Sequence, residues 1–311
     1  MRLMRWIACG VCGLLIGGMS AAHGQTVTSR PADRPAAERR PARTLRVAAV
    51  QMRSSRDLDD NVARTIRFIQ RAARNRARVV VFPECSVTGY FKDVVVQTQA
   101  EALKDAEQRI AAACREAGVY AIVGMPVRDG GKLFNSAVVI SPEGGIIERY
   151  HKMQLAEDWP TPGDHLSIYK IDGVWCTTIV CHDERYPELV RLPVLAGAQV
   201  VFYLSHESGL HDEKKLEPYR AQIQARAVEN GVYVVHANAP ANDDASGSHG
   251  HSRIILPDGN IMQEASIFGE DVLVADLDIG RANRINATNT YRSQLLAPWW
   301  RDGVSLVRRI E

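Results

Sequence analysis

"VWCTTIVCHDERYPELVRLPVLAGAQVVFYL", Val174 to Leu204, opens with an apolar run of strand character, crosses a cluster of charge and then takes up a helical pattern despite Pro193. It returns to an apolar run in "QVVFYL". Strand, helix and strand in that order predict α/β layering. The same alternation repeats on both sides. Upstream, "TLRVAAVQM" reads as a strand, and "LDDNVARTIRFIQRAARNRA" as a helix with Leu58, Val62, Ile66, Ile69 and Ala73 on one face. "RVVVF" is a buried strand ended by Pro83, a helix follows near 99–117, "VYAIVGMPV" is extended, and "NSAVVI" and "IIERYHK" form a hairpin across "SPEGG". Downstream, "EPYRAQIQARAVENG" is helical and "VYVVHAN" extended, then β structure takes over: a hairpin in "SRIILPDGNIMQEA" across Asp258-Gly259, and a strand in "DVLVADLDI".

A chain of 311 residues with 46% hydrophobic content buries a substantial core, which excludes a disordered protein. The formal charge of +2 is local. Residues 1–44 carry seven arginines against Asp33 and Glu38, so of 38 basic and 36 acidic residues 31 and 34 remain, a net of −3. Such a body has no excess of positive charge for a nucleic-acid partner.

The N-terminus, "MRLMRWIACGVCGLLIGGMSAAHGQ", has Arg2 and Arg5 before an apolar stretch from about Trp6 to Met19 and then small residues. This is the pattern of a secretory signal peptide over residues 1–24, and the stretch is short for a bilayer span of roughly 20 residues. Residues 25–43, rich in Pro, Ala and Arg, read as a disordered linker. The expected organisation is therefore a cleaved leader, a linker and one domain over 44–311 with a C-terminal arm from about 280. A mature protein without a membrane span, secreted or periplasmic, follows.

Beyond the leader the chain keeps Cys85, Cys114, Cys176 and Cys181, whose disulfide status the sequence leaves open. Cys176 and Cys181 are five apart on one strand, an odd separation that points them to opposite faces. Cys114 shares a helix face with Leu103, Ala106 and Ile110, which marks it as core. No CxxC pair remains outside the leader, and His249-Gly250-His251 alone is too short to bind zinc.

Three chemical side chains each stand just past a strand-like run: Glu84 after "VVVFP", Lys152 after "IIERYH" and Cys181 after "VWCTTIV". In α/β sheets the carboxyl ends of strands are where ligands meet side chains. Gathered there, the three can attack an acyl carbon. Cys181 is the nucleophile, Glu84 the general base for the thiol and then the acid for a departing amine, and Lys152 with the His182 N–H the oxyanion donors.

At these same residues the chain resembles the nitrilase superfamily of carbon–nitrogen hydrolases. "VAAVQM", "VVFPECSVTGY", "ERYHKMQL", "PGD" at 162–164, "IVCHDERYPEL", "GAQVVFYLS", "RAVENGVYVVHAN" and "ILPDGN" follow the family's order from Thr44 to about Asp278. The resemblance implies a four-layer αββα sandwich, usually paired into homodimers, with Glu84, Lys152 and Cys181 as the triad and no metal or cofactor. It also implies a second glutamate that positions substrate and lysine, which "LAEDWPTPGD" offers as Glu157, and a pocket-lining role for His182. Arg185 and Glu188 are expected to form a structural ion pair, the alternative being that Arg185 meets a substrate carboxylate. Tyr90 and Asn135 stand close to the motifs in sequence, which places them as contacts of the site with no role assigned.

Nitrile-cleaving relatives usually show Cys-Trp-Glu at the nucleophile, whereas this chain has Cys-His-Asp, as in the amidase and carbamoylase branches. The expectation is an exported hydrolase of a small linear amide or N-carbamoyl compound, acting through a Cys thioester. A nitrilase, or a catalytically silent relative that binds a ligand, are the alternatives; the complete triad argues against the second.

Overall fold

The computed structural model describes residues 43–207, 209, 210, 216–244 and 246–311. The expected leader, and the linker apart from Arg43, lie outside the described residues. Elements in the first half are β1 (Thr44–Gln51), α1 (Leu58–Arg74), β2 (Val79–Val81), α2 (Lys92–Gln97), α3 (Ala100–Ala117), β3 (Tyr120–Asp129), β4 (Lys132–Ile140) and β5 (Ile146–His151). The second half adds β6 (Leu166–Ile171), β7 (Val174–Val180), α4 (Glu188–Ala196), β8 (Val200–Ser205), α5 (Leu216–Val228) and β9 (Tyr233–Asn238). It closes with β10 (Arg253–Ile255), β11 (Ile261–Glu264), β12 (Asp271–Asp278), α6 (Ile285–Thr288), α7 (Ala297–Ser305) and β13 (Val307–Ile310).

Alternation along β1 shows why the layers form. Val47 and Ala49 enter one core and Ala48 and Val50 the other, and β2 divides Val79 and Val81 from Val80 in the same way. A strand that is apolar on both faces needs cover on both. On the outer side, α1 and α3 supply it through Val62, Ile69, Leu103, Ala106, Ile110 and Cys114. Asp57 starts α1 by accepting from the Asp60 N–H at 2.9 Å, and Gly118, at φ +65°, ends α3. On the inner side the cover is a second sheet, itself backed by Leu189, Val190 and Val194 of α4 and Ile223 and Ala227 of α5. The result is the αββα sandwich.

The first sheet is ordered β12-β1-β2-β3-β4-β5, with β1, β2 and β3 parallel. The second is ordered β11-β10-β9-β8-β7-β6-β13, with β7, β8 and β9 parallel. Parallel neighbours end on the same side, so the residues after β7 and β8 come out together. The segment from about 280 contributes α6, α7 and a last strand, β13, that pairs parallel with β6 from Val307 opposite Leu166. Cys85, Cys114, Cys176 and Cys181 are all free thiols. Among the described residues, no helix is long and apolar enough to cross a membrane.

Candidate active site

Glu84 reaches its position because β3 carries glycine beside it. A Cβ on Gly124 would lie 2.1 Å from the Pro83 carbonyl oxygen and 2.7 Å from the Glu84 Cα, so only glycine lets the chain after β2 pass there. Cys85 then turns the chain at φ +51°, and the Glu84 N–H donates across to the Ser205 carbonyl of β8 at 3.3 Å. Lys152, just past β5, is clamped by its backbone: its N–H donates to the Asn135 carbonyl at 2.8 Å and its carbonyl accepts from the Gly163 N–H at 2.9 Å. Gly163, the glycine of "PGD", comes so close that a Cβ would stand 2.1 Å from the His151 carbonyl oxygen.

Cys181 follows β7 in the left-handed region, at φ +44°, and opens a 3₁₀ turn through Arg185. A β-carbon at that φ is strained and persists only where the surroundings over-determine it. Here the Asp183 carboxylate and the Tyr203 hydroxyl supply that determination. Asp183 Oδ2 accepts from the Val180 N–H at 3.0 Å and the Tyr150 hydroxyl at 2.8 Å, while its Oδ1 accepts from the Met153 and Gln154 N–H groups at 3.2 and 2.8 Å. Tyr203 donates toward the Cys181 carbonyl at 3.2 Å. One buried carboxylate thus ties the loop after Lys152 to the turn of Cys181.

The three expected residues come together with Glu157. Lys152 Nζ donates to Glu84 Oε1 at 2.8 Å and Glu157 Oε1 at 2.7 Å, and Asn135 Nδ2 donates to the same two oxygens at 2.7 and 3.0 Å. Tyr90 adds a hydrogen bond to Glu157 Oε1 at 2.5 Å, and the His206 N–H donates to Glu84 Oε2 at 2.9 Å. The His206 carbonyl lies 4.0 Å from Cys181 Sγ, so the backbone of one residue contacts both Glu84 and the thiol. Tyr90 and Asn135, left without a role on sequence grounds, are therefore part of the site. Arg185 does not pair with Glu188 as expected. It donates to the Tyr219 hydroxyl at 2.9 Å and covers that ring at 5.1 Å, because the 3₁₀ turn aims it at α5.

Burial sets the electrostatics. It raises Glu84 to about 7, with the Glu157 charge adding to the rise and Lys152 opposing it. Burial draws Lys152 down, yet the charges of Glu84, Cys181 and Glu157 outweigh it and hold the ammonium well above its usual range. Burial pushes Glu157 up too, but Lys152 and Tyr90 leave it below the usual carboxylate range. The Cys181 thiol is held well above its ordinary value by burial and then by Glu84, with Lys152 pulling the other way. At neutral pH the site therefore holds a protonated thiol, an ammonium, an ionised Glu157 and a Glu84 poised to exchange a proton.

Cys181 opens on a cavity of about 320 Å³ whose walls include Tyr90, His182, Glu184, His206, Glu207 and Tyr219. His182 is half-buried there, edge-on to Tyr186 at 5.9 Å, and burial, then Arg185, keep it below its usual range. A larger cleft of about 540 Å³ beside α3, β3 and β5 has no cysteine in its wall. Among the described residues, no group of three or more His, Cys, Asp or Glu side chains could hold a metal ion. Sequence reasoning missed Asp183, Tyr203, His206 and Glu207. One signal was present: Glu207 follows "VVFYLSH" much as Glu84 follows "VVVFP".

Residues 46–287 match the family described as carbon–nitrogen hydrolase. The omega-amidase of Mus musculus is 30% identical over 264 residues, covering 78% of this chain and 91% of that protein. The Homo sapiens omega-amidase is 29% identical over 260 residues, with the same coverage. Among solved structures, an amidase from Nesterenkonia sp. superposes with a TM-score of 0.72 at 25% identity, covering 82% of this chain and 96% of that one. A mutant of the Nesterenkonia AN1 amidase from the nitrilase superfamily reaches 0.73 at 24%, over 82% and 97%. This chain belongs to the carbon–nitrogen hydrolase family, within the nitrilase superfamily.

Proposed function

We propose that the protein hydrolyses a small linear amide or N-carbamoyl compound, with Cys181 as nucleophile, Glu84 as general base and acid, Lys152 as oxyanion donor and Glu157 as the residue that positions Lys152. The observation that carries this reading is the shared ammonium: Lys152 bridges Glu84 and Glu157 while its charge acts on the Cys181 thiol. Similarity to omega-amidases and to an amidase structure supports amide chemistry.

Glu84 takes the Cys181 proton, and the thiolate attacks the carbonyl carbon. The C–O double bond opens to an oxyanion, which the Lys152 ammonium and the His182 N–H stabilise. Glu84 returns its proton to the leaving nitrogen as the C–N bond breaks, which leaves a thioester. Water attacks next: Glu84 accepts its proton and passes it to sulfur as the C–S bond breaks. No cofactor enters these steps. His182 lines the pocket against the substrate.

The test compares amides, N-carbamoyl compounds and nitriles with matched acyl groups by ammonia release and kcat/KM, alongside mass spectrometry of the Cys181 peptide. An acyl adduct on Cys181, and its loss with all turnover in Cys181→Ala, is expected. A clear preference for the nitrile overturns the amide assignment; undiminished turnover in Cys181→Ala overturns the nucleophile.

The leader over 1–24 and the linker over 25–43 support export to the periplasm or beyond, with the domain over 44–311 as the mature enzyme. N-terminal sequencing of the native protein is expected to find a start near Gln25; an intact Met1 refutes export. The homodimer implied by the resemblance has support in apolar side chains exposed on the C-terminal segment, Leu295, Trp299 and Leu306 among them. Light scattering tests it.

A further inference from the structure

The Tyr203 hydroxyl stands where three oxygens meet. It lies 2.9 Å from Glu184 Oε2, 2.9 Å from Glu207 Oε1 and 3.2 Å from the carbonyl oxygen of Cys181. Its place in β8 and a ring stack on His236 at 4.5 Å fix the phenol, and both glutamates are buried. A phenol has one hydrogen to give. Were both acids anions, three oxygens would compete for it, and at least one buried carboxylate would face the phenol oxygen lone pair to lone pair. One of the two acids therefore carries a hydrogen of its own and donates it to Tyr203.

The surroundings decide which. Glu207 has His249 Nε2 at 2.9 Å and His236 Nε2 at 3.7 Å. Burial pushes Glu207 up, but His249, His236 and Arg253 bring it down to about 2, so Glu207 is the anion. Burial and then the Glu207 charge raise Glu184 well above the usual carboxylate range, against the hydrogen bond from Tyr203 and the pull of Arg185 and Arg253. The arginines that touch this turn are bonded elsewhere: Arg185 to the Tyr219 hydroxyl, Arg226 to Glu229 and the main-chain carbonyl of Glu184. The hydrogen belongs to Glu184.

This bears on the nucleophile. Cys181 sits at φ +44°, a conformation that persists only while its neighbours hold it. With Glu184 as donor, the phenol's own hydrogen is left for the Cys181 carbonyl and Glu207. An ionised Glu184 would compete for that hydrogen and draw it from the Cys181 carbonyl.

We infer that Glu184 works as a neutral acid that gives its hydrogen to Tyr203, and that it is thereby a positioning residue for the turn carrying Cys181. The inference rests on the reading of Cys181 as nucleophile and adds a residue to the machinery that holds it.

The experiment reads the proton first. In mildly alkaline buffer Glu84, near 7, and Asp183, near 6, are ionised. The infrared difference between wild type and Glu184→Gln is expected to show the carbonyl band of a protonated carboxyl lost from the variant; loss of a carboxylate band in its place overturns the inference. Kinetics then read the hydrogen. Glu184→Met keeps the length of the side chain with no hydrogen to donate, whereas Glu184→Gln keeps a neutral donor. Glu184→Met is expected to lower kcat about tenfold with KM little changed, the scale of one lost hydrogen bond, and Glu184→Gln to recover most of that loss. Equal losses in the two variants overturn the inference, because hydrogen donation would not then be what Glu184 supplies. Alkylation of Cys181 by iodoacetamide, followed by mass spectrometry of its peptide, is expected to be slowest in Glu184→Met, with no substrate present; a wild-type rate in that variant also overturns the inference. Slowed alkylation together with no hydrolysis of any amide leaves it standing and overturns the amide-hydrolase reading instead. If Glu184→Met does not fold, the infrared difference decides alone.

Discussion

Lys152 Nζ and Glu84 Oε1 stand 2.8 Å apart, and neither side chain has any exposed surface. A buried ion pair is weak evidence for stability, because desolvation consumes much of its attraction, but removing one partner strands the other. In Lys152→Ala, two carboxylates would face each other across Asn135 alone. The expected loss is about 3–5 kcal/mol near neutral pH. Glu84 is already raised in the folded protein, so its contribution is fully present below the unfolded carboxylate range and is lost as pH rises through about 7. Without Lys152 that dependence steepens. Urea unfolding in mildly acidic and mildly alkaline buffer is expected to show the larger loss on the alkaline side; equal losses would mean that Glu84 does not feel the ammonium.

The pH profile of activity follows from the same pair. As general base Glu84 acts only when ionised, so kcat/KM is expected to fall as pH drops through about 7. The Glu157 charge is one of the causes that raise Glu84. Glu157→Gln removes that charge and leaves Lys152 more fully to Glu84. Both changes favour ionised Glu84, so the acid limb is expected to move to lower pH even as kcat falls. A limb that stays in place would assign Glu157 to substrate contact alone.

How far the sequence carries depends on whether a feature is local. β1, β7 and β8 are legible because apolar residues fill both of their faces, and α1 and α3 because one face repeats at helical spacing. β6 and β13 are not. "LSIYKI" is interrupted by Ser167 and Lys170 and is held extended between β7 and β13, while "VRRI" carries two arginines and pairs with β6 from across the chain. "KDVVVQ" forms α2 although its three valines favour a strand, an instance of tertiary context overriding propensity. In the site, Glu84, Lys152 and Cys181 are legible because each follows its own strand. Asn135 lies within β4, and Asp183 sits in a cluster of charge that does not single it out; their roles come from partners 51 and 30 residues away.

Asp183 is expected to act as a positioning residue. Its Oδ1 holds the backbone after Lys152 and its Oδ2 the backbone before Cys181, four hydrogen bonds in all. Asp183→Asn keeps the volume and leaves one acceptor oxygen. Whichever way the amide turns, at least one backbone N–H loses its partner, at about 1–3 kcal/mol. A purely structural role would lower the melting temperature and nothing else. If Asp183 sets the approach of Lys152 to Glu84, loosening it weakens the ammonium's hold, raises Glu84 further and moves the acid limb of kcat/KM to higher pH, opposite to Glu157→Gln. Opposite shifts from two neutral amide substitutions are the outcome to look for.

Gly124 offers the sharpest separation of backbone strain from backbone proximity. A Cβ there would meet the Pro83 carbonyl at 2.1 Å, the Glu84 Cα at 2.7 Å and the Cys85 nitrogen at 2.8 Å, all backbone atoms that cannot swing aside. Gly124→Ala must therefore displace the segment that carries Glu84. Gly130, in the turn between β3 and β4, has φ +53° and nothing within 4 Å of its virtual Cβ, so Gly130→Ala costs only left-handed backbone strain, about 1–2 kcal/mol. The two variants are expected to differ in kind. Gly130→Ala lowers stability modestly and leaves kcat/KM near that of the wild type, whereas Gly124→Ala lowers both, because shifting Glu84 loosens its contacts with Lys152, Asn135 and the His206 N–H together. Thermal melts and kinetics on the pair decide it: a Gly124→Ala enzyme that is destabilised yet fully active would show that Glu84 tolerates displacement and would remove it from the role of general base.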